Sequence, residues 1–255
     1  MAFFRLRLAI IDSLTLSIVV PAFNEQSRLP ATLDLLAAWL SSGPYADAEV
    51  LVVDDGSTDD TASVVRRAAA QDVRFRLLQN PGNRGKGYAV RHGMLKAQGQ
   101  WVLFTDADLS APIGELPKLF EAGERTGAAV AIGSRALNRQ LIGVHQQRWR
   151  ELSGMFFNRV MRLITGLPFA DTQCGFKLYR RDAAQRIFGL QKIDGFGFDV
   201  EDLFIAKRLG YVLTEVSVRW NNAEGTKVST LAGIKSFVDL LAIRWNGLTG
   251  KYNSH

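Results

Sequence analysis

Two carboxylates one residue apart, Asp106 and Asp108, follow Trp101-Val102-Leu103-Phe104-Thr105. The apolar run reads as a short buried strand. Gathering two like charges at its end is costly unless a cation sits between them. In an extended segment residues i and i+2 point the same way, so the pair is expected to face one ion while Ala107 faces away. Hard oxygen ligands suit Mg²⁺ or Mn²⁺, which takes water and substrate phosphate oxygens as its remaining ligands. Two surface aspartates in a strand-to-loop turn give the same pattern, so the pair alone leaves both readings open.

A second stretch, Asn83-Arg84-Gly85-Lys86-Gly87-Tyr88, opens a helix with two glycines and two cations. Backbone that approaches closely, a helix N-terminus and a lysine favour phosphate. The stretch is neither a Walker loop nor a dinucleotide G-x-G-x-x-G. One helix upstream of the paired carboxylates, it would let a metal and a cationic loop grip one diphosphate from two sides. Further on, Asp171-Thr172-Gln173-Cys174-Gly175-Phe176-Lys177 is dense in hydrogen-bonding groups, and Asp199 and Asp202 lie three apart on an expected helix. A polar turn and a helix N-terminus, where acids favour the macrodipole, account for these equally well. Glu224-Gly225-Thr226-Lys227 is a turn whose cation is placed to meet phosphate. His92, His145 and His255 have no metal-ligand spacing, and neither a G-x-S-x-G elbow nor a histidine partner for Cys174 is evident, which disfavours nucleophilic hydrolysis.

The elements that must hold these residues follow from periodicity. Leu16–Pro21, Glu49–Val53 and Phe75–Leu78 read as strands, the first stopped by its proline. Between them Ala31–Leu40 and Thr58–Ala70 read as helices, the latter capped by Thr58 or Asp59, and Tyr88–Ala97 is a third. Ala128–Ile132 is a strand leading into Gly133-Ser134-Arg135. This alternation gives βαβ units, hence an α/β fold with a Rossmann-like, mostly parallel sheet flanked by helices. Ligands in such sheets sit beyond the strand carboxyl ends. The polar residues Asn24-Glu25, Asp54-Asp55 and Asp106-Asp108 are therefore expected to share one cleft.

A chain of 255 residues, 47% hydrophobic and 22% charged, fits one globular domain over residues 1–255, with residues 1–15 as a surface-lying or poorly ordered lead-in. The net charge of +6 points to an anionic partner. Its cations sit among glycines and acids instead of forming an aromatic-interleaved stripe, which argues against nucleic acid. The single Cys174 fits a reducing compartment. No apolar run approaches the ~20 residues of a spanning helix, so membrane contact is expected to be peripheral. Two amphipathic stretches stand out at 145–166 and 231–250. The first lines up Trp149, Leu152, Phe156, Val160 and Leu163 beside Arg148, Arg150, Arg159 and Arg162. The second lines up Ile234, Phe237, Val238, Leu241, Trp245 and Leu248, with Lys235 and Arg244 elsewhere. Each apolar line faces either the core or lipid.

Taken together, Val19-Val20-Pro21-Ala22-Phe23-Asn24-Glu25, Val52-Val53-Asp54-Asp55-Gly56-Ser57, Asn83-Arg84-Gly85-Lys86-Gly87 and Asp106-Ala107-Asp108 resemble the successive nucleotide-sugar motifs of family 2 glycosyltransferases of the GT-A fold. Gly133-Ser134-Arg135, the Asp171–Lys177 stretch, Phe198-Asp199-Val200-Glu201 and Glu224-Gly225-Thr226-Lys227 resemble the dolichyl-phosphate β-glucosyltransferases within that family. The resemblance covers about residues 16 to 250. It implies that Pro21, Phe23, Glu25 and Asp54, with Asp55 beside it, hold the nucleoside, and that Gly85 and Lys86 approach the diphosphate. It implies Asp106 and Asp108 as ligands of Mg²⁺ or Mn²⁺, and Arg135 as the acceptor-phosphate residue, joined by Arg148 or Arg150 and by Lys227. Asp171, Gln173, Asp199 and Glu201 are implied sugar or acceptor contacts. The sequence departs from eukaryotic members in showing no N-terminal anchor, and from many bacterial relatives in showing no C-terminal spanning helices. Attachment on the cytoplasmic face of a membrane is expected to be peripheral.

The implied reaction moves glucose from UDP-glucose to a polyprenyl or dolichyl phosphate with inversion. A phosphate monoester is already largely a dianion at neutral pH, its second pKa being about 6, so it needs positioning more than a general base. GDP-mannose, UDP-N-acetylglucosamine or an amino-sugar donor would fit the same frame. A soluble saccharide acceptor would require a base, for which Asp199 and Asp171 are the candidates.

Overall fold

The β-branched runs do form strands. The computed structural model describes residues 15–138, 140, 158–221 and 230–253. In it β1 (Leu16–Ala22), β2 (Glu49–Asp54), β3 (Phe75–Gln79) and β4 (Trp101–Thr105) alternate with α1 (Leu29–Ser42), α2 (Thr61–Gln71) and α3 (Lys86–Lys96). There follow α4 (Leu116–Thr126), β5 (Val130–Ser134), β6 (Phe176–Arg180), α5 (Arg181–Leu190), α6 (Phe198–Arg208), β7 (Leu213–Ser217) and α7 (Thr230–Leu248). Residues 158–165 are also helical.

The strands form one sheet in the order β3-β2-β1-β4-β6-β5-β7. The pairs β1/β2, β2/β3, β1/β4 and β5/β7 are parallel, and β6 alone runs against both its neighbours. Successive side chains enter opposite layers. Ile18, Val20, Val50, Val52 and Leu103 pack toward α1 and α4, whereas Val19, Leu51, Val53, Val102 and Phe104 pack toward α3, α5 and α6. Both faces are covered, so the strands read as continuous apolar runs. Each fully buried Val, Leu or Phe contributes roughly 1.5–3 kcal/mol.

The register decides which residues meet. Thr105 pairs with Phe176 and Ser134 with Ser217. The carboxyl ends of β1, β2, β4, β5 and β7 therefore share one edge with the amino end of β6. The cleft expected from three strand ends is this edge, extended by the ends of β5 and β7.

Several details differ from the sequence reading. Pro21 does not stop β1 but pairs with Val53. The β4 ladder already ends at Val19, so the missing N–H forfeits no strand partner there. Helix α2 starts at Thr61, because the Thr58 and Asp60 amides are tied to Asn24 and Gln26 across the cleft; Asp59 Oδ1 accepts the Thr61 N–H at 3.0 Å. Helix α3 begins at Lys86, two residues before the expected start. The chain turns immediately after Thr105, with Leu109 N–H donating to the Asp106 carbonyl at 3.1 Å, so the strand alternation invoked for Asp106 and Asp108 does not operate. Ala107 is buried even so, and both aspartates are half-exposed. Residues 1–14, most of 145–166 and the 224–227 turn lie outside the described residues.

Candidate active site

Asp106 sits where β4 ends and β6 begins. Its N–H donates to the Gly175 carbonyl at 3.2 Å, and a Cβ at position 175 would overlap its carboxylate. Only glycine allows β6 to start this close. Lys86 Nζ stands 2.7 Å from Asp106 Oδ1 and 5.3 Å from the Phe104 ring centre. Burial pushes the Lys86 ammonium toward neutrality, but Asp106, Asp199 and Asp108 outweigh it and hold its pKa above the ordinary lysine value. Arg28 reaches Asp108 Oδ2 at 3.7 Å through Nη1 and Glu25 Oε2 at 3.6 Å through Nε. Glu25, Arg28, Lys86, Asp106 and Asp108 thus meet as one open, alternately charged group. Arg28 belongs to no motif; its position three residues after Glu25, at the entry to α1, was the available signal.

The basic glycine turn is built differently from what its composition suggests. Asp55 is buried, accepting the Gly85 N–H at 2.7 Å, the Arg84 N–H at 3.1 Å and the Asn80 amide at 2.7 Å. Asp55 is therefore a buttress for the turn and not a nucleotide contact, and the Gly85 amide is taken by protein, not presented to a phosphate. Gly85 has φ 106°, and a Cβ there would come within 2.5 Å of the Asp194 carbonyl. The two glycines let the turn lie against residues 192–195, around a cavity of about 440 Å³ lined by Arg84, Lys192, Asp194 and Asp239 among others. What the turn delivers to the cleft is Lys86. Asp54 is buried too, accepting the Ser57 N–H at 3.0 Å. Pro21 and Phe23 are half-buried at the end of β1.

The acids of α6 are enclosed. Glu201 has no exposed surface; it accepts the Lys192 and Ile193 amides at 3.0 and 2.8 Å and the Tyr252 hydroxyl at 2.6 Å. It shapes the 192–195 segment and is not presented to a sugar, contrary to the expectation. Lys177 of β6, also fully buried, is ion-paired with Asp199 and lies 3.6 Å from Asp202, whose Oδ2 accepts the Tyr179 hydroxyl at 2.5 Å. Burial raises the Asp202 carboxyl to about 7, the Lys177 ammonium opposing it. The sequence separates these four groups by up to 25 residues, and only the β6–α6 packing joins them.

On the other side of the cleft Arg135 follows β5. Its Nε and Nη2 donate to Asp171 at 2.6 and 2.8 Å, and its guanidinium lies 4.8 Å from the Trp220 ring centre. Burial would lower the Arg135 pKa, but Asp171 outweighs it and raises it; Arg135 in turn holds Asp171 below the ordinary carboxylate value against its own burial. Glu215 of β7 accepts the Ala170 and Asp171 amides at 2.9 and 2.8 Å and so fixes the loop bearing Asp171. Gln173 is half-buried, its N–H 3.3 Å from Asp171 Oδ1. Trp220 and Glu215 carried no motif signal beyond an aromatic after an alternating strand. Arg148, Arg150 and Lys227 lie outside the described residues.

The donor set fits a divalent ion bound together with a phosphate ligand. Asp106 and Asp108 offer hard oxygens from one half-exposed turn. Among the described residues no group of three or more His, Cys, Asp or Glu side chains is placed to hold a metal, which leaves coordination positions for water and substrate oxygens.

The family model for Glycosyl transferase family 2 matches residues 17–188. A dolichyl-phosphate beta-glucosyltransferase of Drosophila melanogaster is 39% identical over 231 residues, covering 85% of this chain and 70% of that one. The Homo sapiens protein of the same name is 35% identical, covering 93% and 77%. Among solved structures, glucosyl-3-phosphoglycerate synthase of Mycobacterium tuberculosis in complex with Mn²⁺, UDP-glucose and phosphoglyceric acid superposes with a TM-score of 0.64 at 21% identity, covering 91% of this chain and 80% of that one. Another complex of that synthase holds Mg²⁺ and UDP. That likeness establishes the GT-A fold, and the family match with the similarity to the glucosyltransferases establishes membership: the chain belongs to glycosyltransferase family 2.

Proposed function

We propose that this protein transfers glucose from UDP-glucose to dolichyl or another polyprenyl phosphate, giving a β-linked lipid-phosphate sugar. The names of its relatives supply the dolichyl phosphate and the glucose, and the synthase complex that holds UDP-glucose suggests the form of the donor. The observation that carries the reading is a division of charge along one sheet edge: open carboxylates with Lys86 and Arg28 at the end of β4, and a pre-positioned guanidinium at the end of β5. The first set suits a metal-bound diphosphate, the second an anionic nucleophile.

Asp106 and Asp108 would hold a divalent ion, which when bound would supply charge stabilisation for the departing nucleoside diphosphate. Lys86, held at the cleft by the Asp55-buttressed turn, adds a second cation on the leaving-group side. Pro21, Phe23 and Glu25 border the nucleoside end, and the buried Asp54 holds the Ser57 turn beside them. Arg135 presents its guanidinium to the acceptor phosphate, its plane fixed by Asp171 and Trp220. Asp171, Asp199, Glu201 and Asp202 are held by cations, hydroxyls or backbone amides. An acceptor that arrives already ionised fits this arrangement better than a hydroxyl needing a base. A single displacement inverts the anomeric centre. The reading puts the protein at the cytoplasmic face of a membrane, peripherally; its one thiol, Cys174, is free.

The test is a panel of UDP- and GDP-sugars with a polyprenyl phosphate or a soluble saccharide, with wild type and Arg135→Ala. UDP-glucose with the lipid phosphate should give product, and the variant should raise the acceptor KM about 10–100-fold, the scale of a charged bidentate contact, with the donor KM unchanged. Transfer only to the saccharide would refute the acceptor assignment.

A further inference from the structure

Helix α7 is apolar around most of its circumference, and over residues 237–248 only one side of it is used by the fold. Leu240 and Ile243 are fully buried, and Gly247 lets the helix close onto the Phe204 ring. On the opposite side Val238, Leu241, Trp245 and Leu248 are 60%, 61%, 64% and 67% exposed. Their spacing of three, four and three residues makes a single stripe about 15 Å long. Arg244, exposed, lies between its turns, and Lys251 is exposed just beyond the helix. Asp239 is turned onto Gly197. The stripe begins at the catalytic edge: Gly197 precedes Phe198 and Asp199 at the start of α6, and Phe196, partly exposed, stands 6.0 Å from Lys86 Nζ.

We infer that this stripe is a membrane-docking face that lies in the lipid headgroup–acyl boundary and sets the catalytic edge at the depth where a lipid phosphate is presented. The inference rests on the lipid-phosphate reading for its purpose, but its geometry stands apart from it. Lipid is the occupant because the flanking charges are cationic, which suits an anionic bilayer surface. A second copy related by a two-fold axis would bring identical arginines and lysines together. One row of four side chains is also well short of the roughly 800 Å² per partner of a standard protein interface. No helix among the described residues is long and apolar enough to cross a membrane, so the helix docks on the surface without spanning it. Trp245 is the anchor, its ring suited to the boundary between apolar and wet layers.

The experiment compares wild type, Leu241→Glu with Leu248→Glu, and Trp245→Phe. Flotation uses phosphatidylcholine vesicles with and without phosphatidylserine, and tryptophan emission is read with brominated phosphatidylcholine. Wild type should float, more strongly with phosphatidylserine, and lose much of its emission to the brominated lipid. Trp245→Phe should remove most of that quenching. The double glutamate variant, folded by circular dichroism, should lose vesicle binding by about tenfold or more, yet transfer sugar normally to a short-chain polyprenyl phosphate in free solution. Equal flotation of the double variant, or a wild type that does not float, would overturn the docking face. So would a concentration-dependent dimer of wild type, by sedimentation, that the double variant loses. If wild type floats through this face but modifies no lipid phosphate, the substrate reading fails and the docking face stands.

Discussion

Two acidic clusters in this chain look alike on paper and are opposites in the fold. Asp106-Ala107-Asp108 lies on a turn after a strand, and its carboxylates are half-exposed and faced by Lys86 and Arg28 at the mouth of the cleft. Asp199-Val200-Glu201-Asp202 lies in the first turn of α6, where all the residues from Phe198 to Ala206 are buried. There the carboxylates are consumed by Lys177, Tyr179, Tyr252 and three backbone amides. A carboxylate left open to a cleft can take up a metal or substrate. One enclosed and satisfied organises the chain around it. The comparison assigns chemistry to the first cluster and architecture to the second, and each assignment can be broken separately.

The largest effect is expected at the open cluster. Asp108→Ala should lower transfer by about 10³-fold, the scale of losing a contact to developing charge, while its melting temperature stays close to wild type. Substantial turnover, or a large loss of stability, would erase the distinction. Glu201→Ala should do the reverse, orphaning two buried amides and the Tyr252 hydroxyl, and cost about 2–3 kcal/mol in urea denaturation. A stable Glu201→Ala protein without activity would move Glu201 into the chemistry. A subtler effect concerns Asp202, which faces Lys177 and Tyr179 from β6 and Asp199 from its own helix. Burial pushes its carboxyl up from the ordinary 3.8 to about 7, the Lys177 ammonium opposing it. The folded state thus holds this proton more tightly, so the stability it contributes is present below 3.8 and lost as pH rises through about 7. Asp202→Asn should therefore gain on wild type in thermal denaturation as pH is raised from about 5 to about 8, and a constant difference across that range would contradict the enclosed state. The smallest effect is at Trp220. Replacing it with Leu removes the surface against which Arg135 lies, worth about 1 kcal/mol. The acceptor KM should rise about fivefold with the donor KM unchanged, and Trp220→Tyr should restore most of it.

Much of the β1–β4 half of the cleft was legible from sequence because strand periodicity, breakers and the rule that ligands gather at strand ends all act locally. The β1–β4 alternation and the meeting of Glu25 with Asp106 and Asp108 followed from them. Burial of individual polar groups did not. Nothing in Asp54-Asp55 tells which carboxylate supports the Gly85 turn, because Asn80 and Gly85 reach Asp55 only through the β2–β3 pairing and the turn beyond it. Strand β6 read as the end of a polar turn, since its antiparallel insertion between β4 and β5 is a property of topology. The same insertion brings Lys177 to Asp199. For α7 the apolar line was found but not its orientation. Phe237 packs on the core while Val238, Leu241, Trp245 and Leu248 stay outside, and a helix apolar on several sides has no single face that periodicity can select.

The measurement that tests the account most directly is radiolabelled UDP-glucose incubated with the purified protein and dolichyl phosphate, with Mg²⁺ or after chelation, the product's anomeric configuration being read by NMR. The account predicts a metal-dependent β-linked dolichyl-phosphate glucose, absent with Asp108→Ala. Transfer that survives chelation, an α-linked product, or no transfer to the lipid phosphate would contradict it.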